Sequence, residues 1–442
     1  MPTPSLLIVP SRWKTGSPGK LYSQIPTNGN GDFNVTGVVT GGTSIGTRVN
    51  NLGYIEPITT SGTPRLDYYT SSGVPGCPAL LVEPSGTNLA LQSEAFNTTW
   101  TISNSTQITT NTTGTTDPAG STLSDLIFCQ ASGSAAQGVT QAISIATSGT
   151  YTMSVFVKKA ANFDWFRIQF QDPAAATHQV YYNLASGTLG AVDAGSTGTI
   201  TNFGNGWYRV THSRSTASGS ISFGLRLANA NSSLVVPCDG ISGAFVFGAQ
   251  LETGSVATSY IPTTTGSVTR SADVISVSGA VSGSIGQTEG TIYVEVDYRN
   301  FSTTSQAILH LFENGQNLIG IQVVRSGANN QFQAYAFVAN SLVVSITSAI
   351  STAGVYKIAL AYKLNDYALY INGTPIGTDS NAGVPTTSQV LLGHYASQIQ
   401  LNDRILSAAL YTTRLTDTQL ALLTSPYTSY SSMASALSYT LG

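Results

Sequence analysis

Apolar and polar residues alternate along most of this chain, whereas the helical spacing of apolar residues is nearly absent. Alternation with a period of two is typical of β-strands that bury one face. Clear examples are YTMSVFVK at 151–158, FDWFRIQF at 163–170 and GTIYVEVDYR at 290–299. Because clusters of Gly, Ser and Asn separate many such short runs, the pattern predicts an all-β protein built from sandwiches or barrels.

The alternating runs divide the chain into regions. Residues 1–94 are irregular, with glycine-rich turns, proline brackets and only short strand candidates such as LLIV and ALLV. Residues 95–265 and 266–423 each hold enough runs for one jelly-roll-type β-sandwich, and 424–442 form a tail. Since the first region has too little apolar sequence for a core of its own, we expect a neighbour to order it: the next domain, another copy or a partner protein.

Two local signals refine this prediction. Asn365 and Asp366 stand between two alternating runs, and Asn372 with Gly373 follows the second run, which is the residue chemistry of tight hairpin turns. TDTQLALL at 416–423 has Thr and Gln at the spacing of a capping box ahead of leucines. The second sandwich should therefore end in a short helix.

Charge is unusually sparse. Charged residues make up 9% of the chain and the net charge is −3, against about a quarter charged in ordinary globular proteins. So weak a charge does not steer a protein to nucleic acid or to an anionic membrane, and no apolar stretch is long enough to span a bilayer or to act as a secretion signal. A weakly charged surface suits a permanent assembly, so we expect an oligomer. Because no secretion signal or membrane span is predicted, we expect the protein to be made inside a cell and to leave it, if at all, by lysis.

Cysteine and histidine spacing gives no sign of a metal site. The three cysteines, at 77, 129 and 238, are widely separated, and the four histidines stand singly. We expect the cysteines to be small apolar core residues in a reducing compartment rather than a disulfide framework, and the histidines to be structural. No cofactor is predicted.

The sharpest enzyme candidate is the strand that carries Glu295 and Asp297 on one face. Retaining glycosidases use two carboxylates about 5 Å apart. The third position of the ExDxxE pattern of jelly-roll glycosidases is Asn300 here, which cannot shuttle a proton. The chain also lacks a GxSxG elbow and a phosphate-binding GK[ST] loop. We therefore expect a protein that is not an enzyme, with these carboxylates on a solvated sheet face.

A candidate sugar-binding face lies on the run at 163–170. Alternation places Trp165, Arg167 and Gln169 on one side and the core residues on the other, and Tyr181 could join from the next strand. An aromatic ring beside planar polar groups suits a pyranose, which has an apolar face and equatorial hydroxyls. The alternative is that Trp165 packs beneath a loop or a neighbouring subunit. Trp207, in GNGWYRV, is predicted to be core.

Two parts of the chain resemble tailed-bacteriophage virion proteins, and a third resembles a lectin fold. TRVNNLGYIEP, TPRLDYY and GCPALLVEPSGTNLALQSEAF, within 47–96, resemble a segment that precedes glycan-binding-type sandwiches in those proteins. GNGWYRV and GAQLE…TSYIPT resemble their carbohydrate-binding-module-like domain. The order KIALAYK, YALYING and RLTDTQL is similar to the concanavalin A-like (laminin-G-type) lectin fold.

The resemblance implies a fibre, spike or decoration protein of the virion head or tail, made in the host bacterial cytoplasm. It further implies a homotrimer, with residues 1–94 bound to other virion proteins and the sandwiches adhering multivalently to host-surface or environmental glycans. A purely structural decoration or cement protein that binds no sugar is the alternative. A depolymerase is not indicated, since no long β-solenoid repeat is present. The few charges of the N-terminal region are expected to be paired at an assembly interface: Arg48, Glu56, Arg65, Asp67 and Glu83.

Overall fold

The computed structural model describes residues 2, 4–10, 22–24, 31–32, 34–36, 46–58, 64–69, 72–103, 105–130, 137–161, 163–234, 236, 238–278, 283–301, 304–327, 329–395 and 399–426. Over these residues the protein is almost entirely β-structure, with one helix, Asp417–Thr424. The all-β prediction is therefore confirmed. Most of the predicted C-terminal tail, from residue 427 onward, lies outside the described residues.

The first sandwich consists of two antiparallel sheets, each with six strands among the described residues. Sheet I has, in spatial order, Thr101–Ser103, Gly138–Ile145, Gly219–Ala228, Trp165–Gln171, Thr177–Asn183 and Thr188–Val192. Sheet II has Thr106–Thr109, Asp125–Cys129, Gly243–Thr253, Gly149–Lys159, Trp207–Thr216 and Ser196–Gly204.

Alternation explains how these two sheets pack. Along Trp165–Gln171 the side chains of Phe166, Ile168 and Phe170 are fully buried and join one apolar cluster with the inward side chains of sheet II. The intervening side chains point away from sheet II, because successive side chains of a strand face opposite sides. Trp207 is buried as predicted, but it lies in a separate aromatic cluster on the outer side of sheet II.

The second sandwich also has two sheets. Sheet III has, in order, Ser341–Ile350, Asn329–Val338, Asn317–Ser326, Gln306–Asn314, Gln389–Leu392, Val274–Ser278 and Asn34–Thr36. The main path of sheet IV has Gly31–Asp32, Tyr22–Gln24, Leu6–Ile8, Asp403–Tyr411, Glu289–Tyr298, Gly354–Lys363, Tyr367–Ile371 and Thr374–Asp379. The strand Ala79–Val82 branches from Asp403–Tyr411 and pairs on its other side with Leu66–Asp67.

The N-terminal region is part of these sheets rather than a separate unit. Leu6–Ile8 pairs with the second half of Asp403–Tyr411, Ala79–Val82 pairs with its beginning, and Asn34–Thr36 pairs with Val274–Ser278. Leu6 and Val82 are fully buried in the core of the second sandwich. The chain's own second sandwich therefore pairs with these N-terminal strands, while residues 47–58 and 64–69 also contact the first sandwich. The division at residue 94 does not separate two folding units.

Three short strand pairs complete the β-structure. Gly86–Asn88 pairs with Val268–Arg270 between the two sandwiches, where the chain leaves one and returns to the other. The remaining pairs are Thr47–Val49 with Ile55–Pro57 and His394–Tyr395 with Ile399–Gln400.

The predicted turn and helix signals are confirmed. Asn365, Asn372 and Gly373 adopt positive φ angles of 56°, 49° and 80°, as tight turns require. Thr416 caps the helix Asp417–Thr424, and the side chain of Gln419 returns the hydrogen bond to complete the capping box.

The cysteine prediction is wrong in two respects. Cys129 and Cys238 form a disulfide, with Cα atoms 4.9 Å apart and a sequence separation of 109. Cys77 is free and exposed rather than part of the core. The pairing escaped prediction because wide spacing carries no local signal, while the fold brings the end of Asp125–Cys129 against the loop before Gly243–Thr253.

Candidate functional site

The face of sheet I that points away from sheet II, here the outer face, carries the residues predicted to bind sugar. Trp165, Arg167 and Gln169 lie on it as alternation requires, and Tyr181 is the cross-strand partner of Arg167. The prediction that the four residues share one face is thus confirmed in geometry. Whether they bind a glycan stays a prediction.

Their exposure differs from the prediction. Arg167 and Tyr181 are only 1% and 3% exposed, whereas Trp165 and Gln169 are half-buried. The strand Thr188–Val192 covers the indole, since a Cβ placed on Gly190 would lie 2.6 Å from the Trp165 ring. Alternation identifies the face of a side chain but not what lies above that face. Trp165 and Gln169 therefore remain the accessible members of the set.

Sequence reasoning missed Arg226, which lies directly opposite Arg167 on the neighbouring strand and is 8% exposed. Arg226 donates to the hydroxyls of Ser103 and Thr140 at 2.7 Å, and Arg167 donates to Gln179. Neither guanidinium pairs with a carboxylate in the described part of the chain, and both Nε atoms lack a partner.

Two like charges directly opposite each other destabilise a sheet. Burial, together with the charge of Arg167, lowers the pKa of Arg226 to about 10, so Arg226 stays positive at neutral pH. The outer face of sheet I thus holds uncompensated positive charge beside Trp165.

Sheet I presents this face to solvent, while sheet II faces the rest of the chain. Ala142, Ser144 and Ser220 on the outer face are exposed. Sheet II instead contacts the N-terminal region: Phe203 stacks on Tyr69 with ring centroids 5.9 Å apart. The outer face of sheet I is therefore the broad polar face of the first sandwich that remains available to a ligand.

A second site, the central cavity, lies between sheet II, the N-terminal region and one end of the second sandwich. Its volume is about 480 Å³. Its walls include threonines of the edge strand Ser196–Gly204, the aromatic pair Tyr69 and Phe203, and the half-buried Arg209 of sheet II. Sequence reasoning could not find this cavity, because its walls come from separate parts of the chain.

Arginine and carboxylate side chains meet in the cavity wall. Arg404 of the second sandwich donates from Nε to Asp67 at 2.6 Å, and its guanidinium lies 4.9 Å from the centroid of the Tyr69 ring. Burial would lower the pKa of Arg404, but the charge and hydrogen bond of Asp67, together with the charge of Asp403, outweigh burial and raise it. This pair joins the N-terminal region to the second sandwich.

Arg65 is the centre of a buried ion cluster beside the cavity. It is 1% exposed and binds the carboxylates of Glu83 and Asp273, with Arg270 alongside at 3.4 Å from Glu83. Ser259 donates to Glu83 through both its backbone and its hydroxyl. Burial raises the pKa of Glu83, but Arg65 and Arg270 outweigh it and lower the pKa to about 2.

All five charges assigned to an assembly interface have partners within this chain. Arg65, Asp67 and Glu83 are buried, so a second chain could not reach them. Arg48 and Glu56 pair with each other at 2.6 Å on neighbouring strands and remain partly exposed. The expected pairing is present, but for the three buried residues it joins parts of one chain. A contact with another protein stays a prediction for Arg48 and Glu56.

The carboxylates of the enzyme candidate lie on the outer face of sheet IV, as predicted. Glu295 accepts from Ser407 at 3.3 Å, and Asp297 pairs with Arg299. Asn300 donates to the carbonyl of Asn402 and to the buried Asp403. Burial raises the pKa of Asp403 to about 7 even though two backbone N–H groups donate to it.

No group of three or more His, Cys, Asp or Glu side chains is placed to hold a metal ion in the part of the chain that the structure describes. His212, His310 and His394 are buried and hydrogen-bonded. Over the same described ranges, no helix has the length and apolarity that crossing a membrane would take.

Comparison with known proteins gives no family. No family model matches the sequence, and no curated protein matches it. Solved structures with partial similarity include domain 4 of the arabinanase AbnA from Geobacillus stearothermophilus in complex with arabinotriose, at 14% identity over 35% of this chain and 73% of that chain, with a TM-score of 0.28.

Two further solved structures are similar in part. The sialidase CBM40 of Ruminococcus gnavus bound to α2,3-sialyllactose is 18% identical over 31% of this chain and 84% of its own, with a TM-score of 0.25. Domains LG4-5 of the mouse laminin α1 chain are 8% identical over 60% of this chain and 82% of their own, with a TM-score of 0.20. Scores this low support no conclusion about the function of the chain.

Proposed function

We propose that this chain is a non-enzymatic virion protein of a tailed bacteriophage, a fibre, spike or decoration protein, that adheres to glycans through the outer face of sheet I. The observation that carries the adhesive part is the solvent-facing position of this face, with Trp165 and Gln169 accessible and the Arg167–Arg226 pair beside them. Amides and guanidinium groups next to an aromatic ring suit a hydroxylated ring with one apolar face.

Weak single contacts would suffice on a particle. Copies held together engage a surface with an avidity that exceeds the single affinity by about 10²–10⁴. A homotrimer is part of the proposal and rests on the resemblance of the sequence alone. Light scattering on the purified protein should give three times the mass of one chain, which is 46.0 kDa. A measured mass equal to one chain would refute the trimer.

A glycan array probed with the purified, labelled chain tests adhesion. We expect a defined group of glycans to bind and the substitutions Trp165→Ala and Gln169→Ala each to weaken binding about tenfold. Gln322→Ala is the matched control, because Gln322 is a half-buried strand glutamine of the second sandwich that pairs with Gln333. If neither substitution in sheet I changed glycan binding, the proposal that this face binds glycans would be refuted.

The alternative is a decoration or cement protein that binds no sugar, and an array without any binder would favour it. Mass spectrometry of purified particles of the encoding phage tests the virion assignment separately. The chain should be present at a fixed copy number per particle after washing in high salt, and its absence would refute the assignment whatever the array shows.

A further inference from the structure

We infer that the central cavity is a second binding site, distinct from the outer face of sheet I, for a hydroxyl-rich molecule that carries one carboxylate, of which a uronic acid is the simplest sugar example. The cavity of about 480 Å³ falls within the range of about 300–1,000 Å³ of small-molecule pockets. The inference does not depend on the proposed adhesion or on the virion assignment.

The charge balance of the wall points to an anion. Its two carboxylates, Asp67 and Glu83, are already neutralised by Arg404 and Arg65. The other arginines that line it are Arg48, paired with Glu56, Arg299, paired with Asp297, and Arg209. Arg209 alone among these lining arginines makes no ion pair with a carboxylate in the described chain, although the charge of the buried Glu252 acts on it.

Arg209 is also held in place with donors to spare. Its guanidinium lies 5.3 Å from the centroid of the Phe156 ring, and Nη2 donates to the hydroxyl of Ser154 at 3.2 Å. Its Nη1 makes no hydrogen bond to the described residues, whereas the Nε is buried and out of a ligand's reach. A guanidinium fixed on an aromatic ring with unused N–H groups is arranged for a carboxylate, which accepts two parallel hydrogen bonds.

A row of hydroxyls runs along the same wall. Thr197, Thr199 and Thr201 alternate on the edge strand of sheet II, so their side chains share one face about 7 Å apart. Thr199 already bonds to Thr211 at 2.7 Å, whereas Thr197 and Thr201 make no side-chain hydrogen bond to the described residues. Such a row offers both donors and acceptors to a polyol.

An apolar surface completes the site. Phe301, which also lines the cavity, is 39% exposed, and its ring meets Tyr298 edge-on at 5.3 Å. An exposed ring suits the apolar face of a pyranose. One guanidinium without an ion pair, a hydroxyl row and an open ring together favour a sugar acid with a single negative charge over a phosphate ester, which carries up to two charges at neutral pH.

Calorimetric titration of the full chain with glucuronate, glucose, acetate and inorganic phosphate tests the inference. We expect glucuronate to bind about tenfold more tightly than each of the other three, because only glucuronate supplies both the carboxylate and the ring. Equal affinity for glucose would refute the role of the charge, and equal affinity for acetate or phosphate would refute the role of the sugar ring.

Variants locate the site. Arg209→Gln should weaken glucuronate binding about tenfold or more, the usual effect of losing a hydrogen bond to a charged group. Thr201→Phe, which fills the cavity and keeps every charge, should abolish binding. Arg214→Gln is the control, since Arg214 lies on the same strand, outside the cavity, and donates to Ala194.

Circular dichroism and thermal unfolding of each variant show whether it folds. Folded Arg209→Gln and Thr201→Phe proteins that bind glucuronate as the unchanged chain does would overturn the inference. An equal loss in Arg214→Gln would overturn it too, because binding would then not depend on the cavity.

Discussion

Replacing Arg65 by methionine should destabilise the protein severely, because the arginine neutralises two buried carboxylates at once. Its side chain binds Glu83 at 2.6 Å and Asp273, and it also donates to the carbonyl of Thr47 and to Ser259. Removing one partner from a buried ion pair leaves an uncompensated charge and costs about 3–5 kcal/mol. Arg270 stays near Glu83 at 3.4 Å, so we expect a loss near the lower end of that range.

The pH dependence gives this prediction its signature. Because the folded state holds the pKa of Glu83 at about 2, below the ordinary 4.5, the stability it contributes is present above pH 4.5 and is lost as the pH falls toward 2. A difference of that size corresponds to about 3 kcal/mol. In Arg65→Met the carboxylate of Glu83 loses its main partner. The difference in unfolding free energy between the variant and the unchanged chain should therefore become smaller from pH 7 to pH 3.

Urea unfolding at pH 7, 5 and 3, followed by tryptophan fluorescence, measures this gap. Arg48→Met is the matched control, since Arg48 forms a partly exposed pair with Glu56 in the same region. Pairs of that kind contribute about 0–1 kcal/mol. A loss for Arg65→Met no larger than for Arg48→Met, or one that does not change with pH, would refute the reasoning.

Three further predictions follow from single features. Cys129→Ser should lower the free energy of unfolding by up to about 4–5 kcal/mol, because the disulfide closes a loop over 109 residues; Cys77→Ser should not, and a thiol titration should find one free thiol per chain. At pH 8 the Asp403→Asn variant should be more stable than the unchanged chain, by up to about 4 kcal/mol, and near pH 4 the two should be equally stable. Burial raises the pKa of Asp403 in the folded state to about 7, so the stability of the unchanged chain falls as the pH rises from about 4 to 7. A less stable Asp403→Asn in urea at pH 8 would contradict this. Gly393→Ala should lower the free energy of unfolding by about 1–3 kcal/mol more than Gly327→Ala. Both glycines have φ near +65°, but a Cβ on Gly393 would lie 2.6 Å from Val82, whereas a Cβ on Gly327 would meet open space. Equal urea midpoints for the two variants would contradict the packing argument.

The sequence predicted what local chemistry determines. Strands such as Trp165–Gln171, the hairpin turn at Asn365 and the helix capped by Thr416 follow from residue periodicity and capping preferences, which act over a few positions. Pairings between strands that lie far apart in the sequence could not be predicted. Leu6 aligns with Leu410, and nothing in either short strand identifies the other.

The candidate sites show the same limit. Alternation placed Arg167 on the correct face, but the strand Thr188–Val192 and the opposing Arg226 decide how that face is covered and charged. The charges of the N-terminal region were expected to be paired, and they are, but Asp273 is 208 residues from Arg65. The central cavity exists only once both sandwiches and the N-terminal region are in place.

The strand pair Gly86–Asn88 with Val268–Arg270 makes the first sandwich an insertion within the second. The second sandwich is discontinuous: its sheets combine the early strands Leu6–Ile8 and Ala79–Val82 with strands up to Asp403–Tyr411, so it cannot close until nearly the whole chain has been synthesised. The first sandwich is continuous and can fold earlier, as domains do during synthesis. Because two paired strands rather than one linker join the sandwiches, the joint resists hinge bending. A force applied to one sandwich would therefore pass to the other through a double connection.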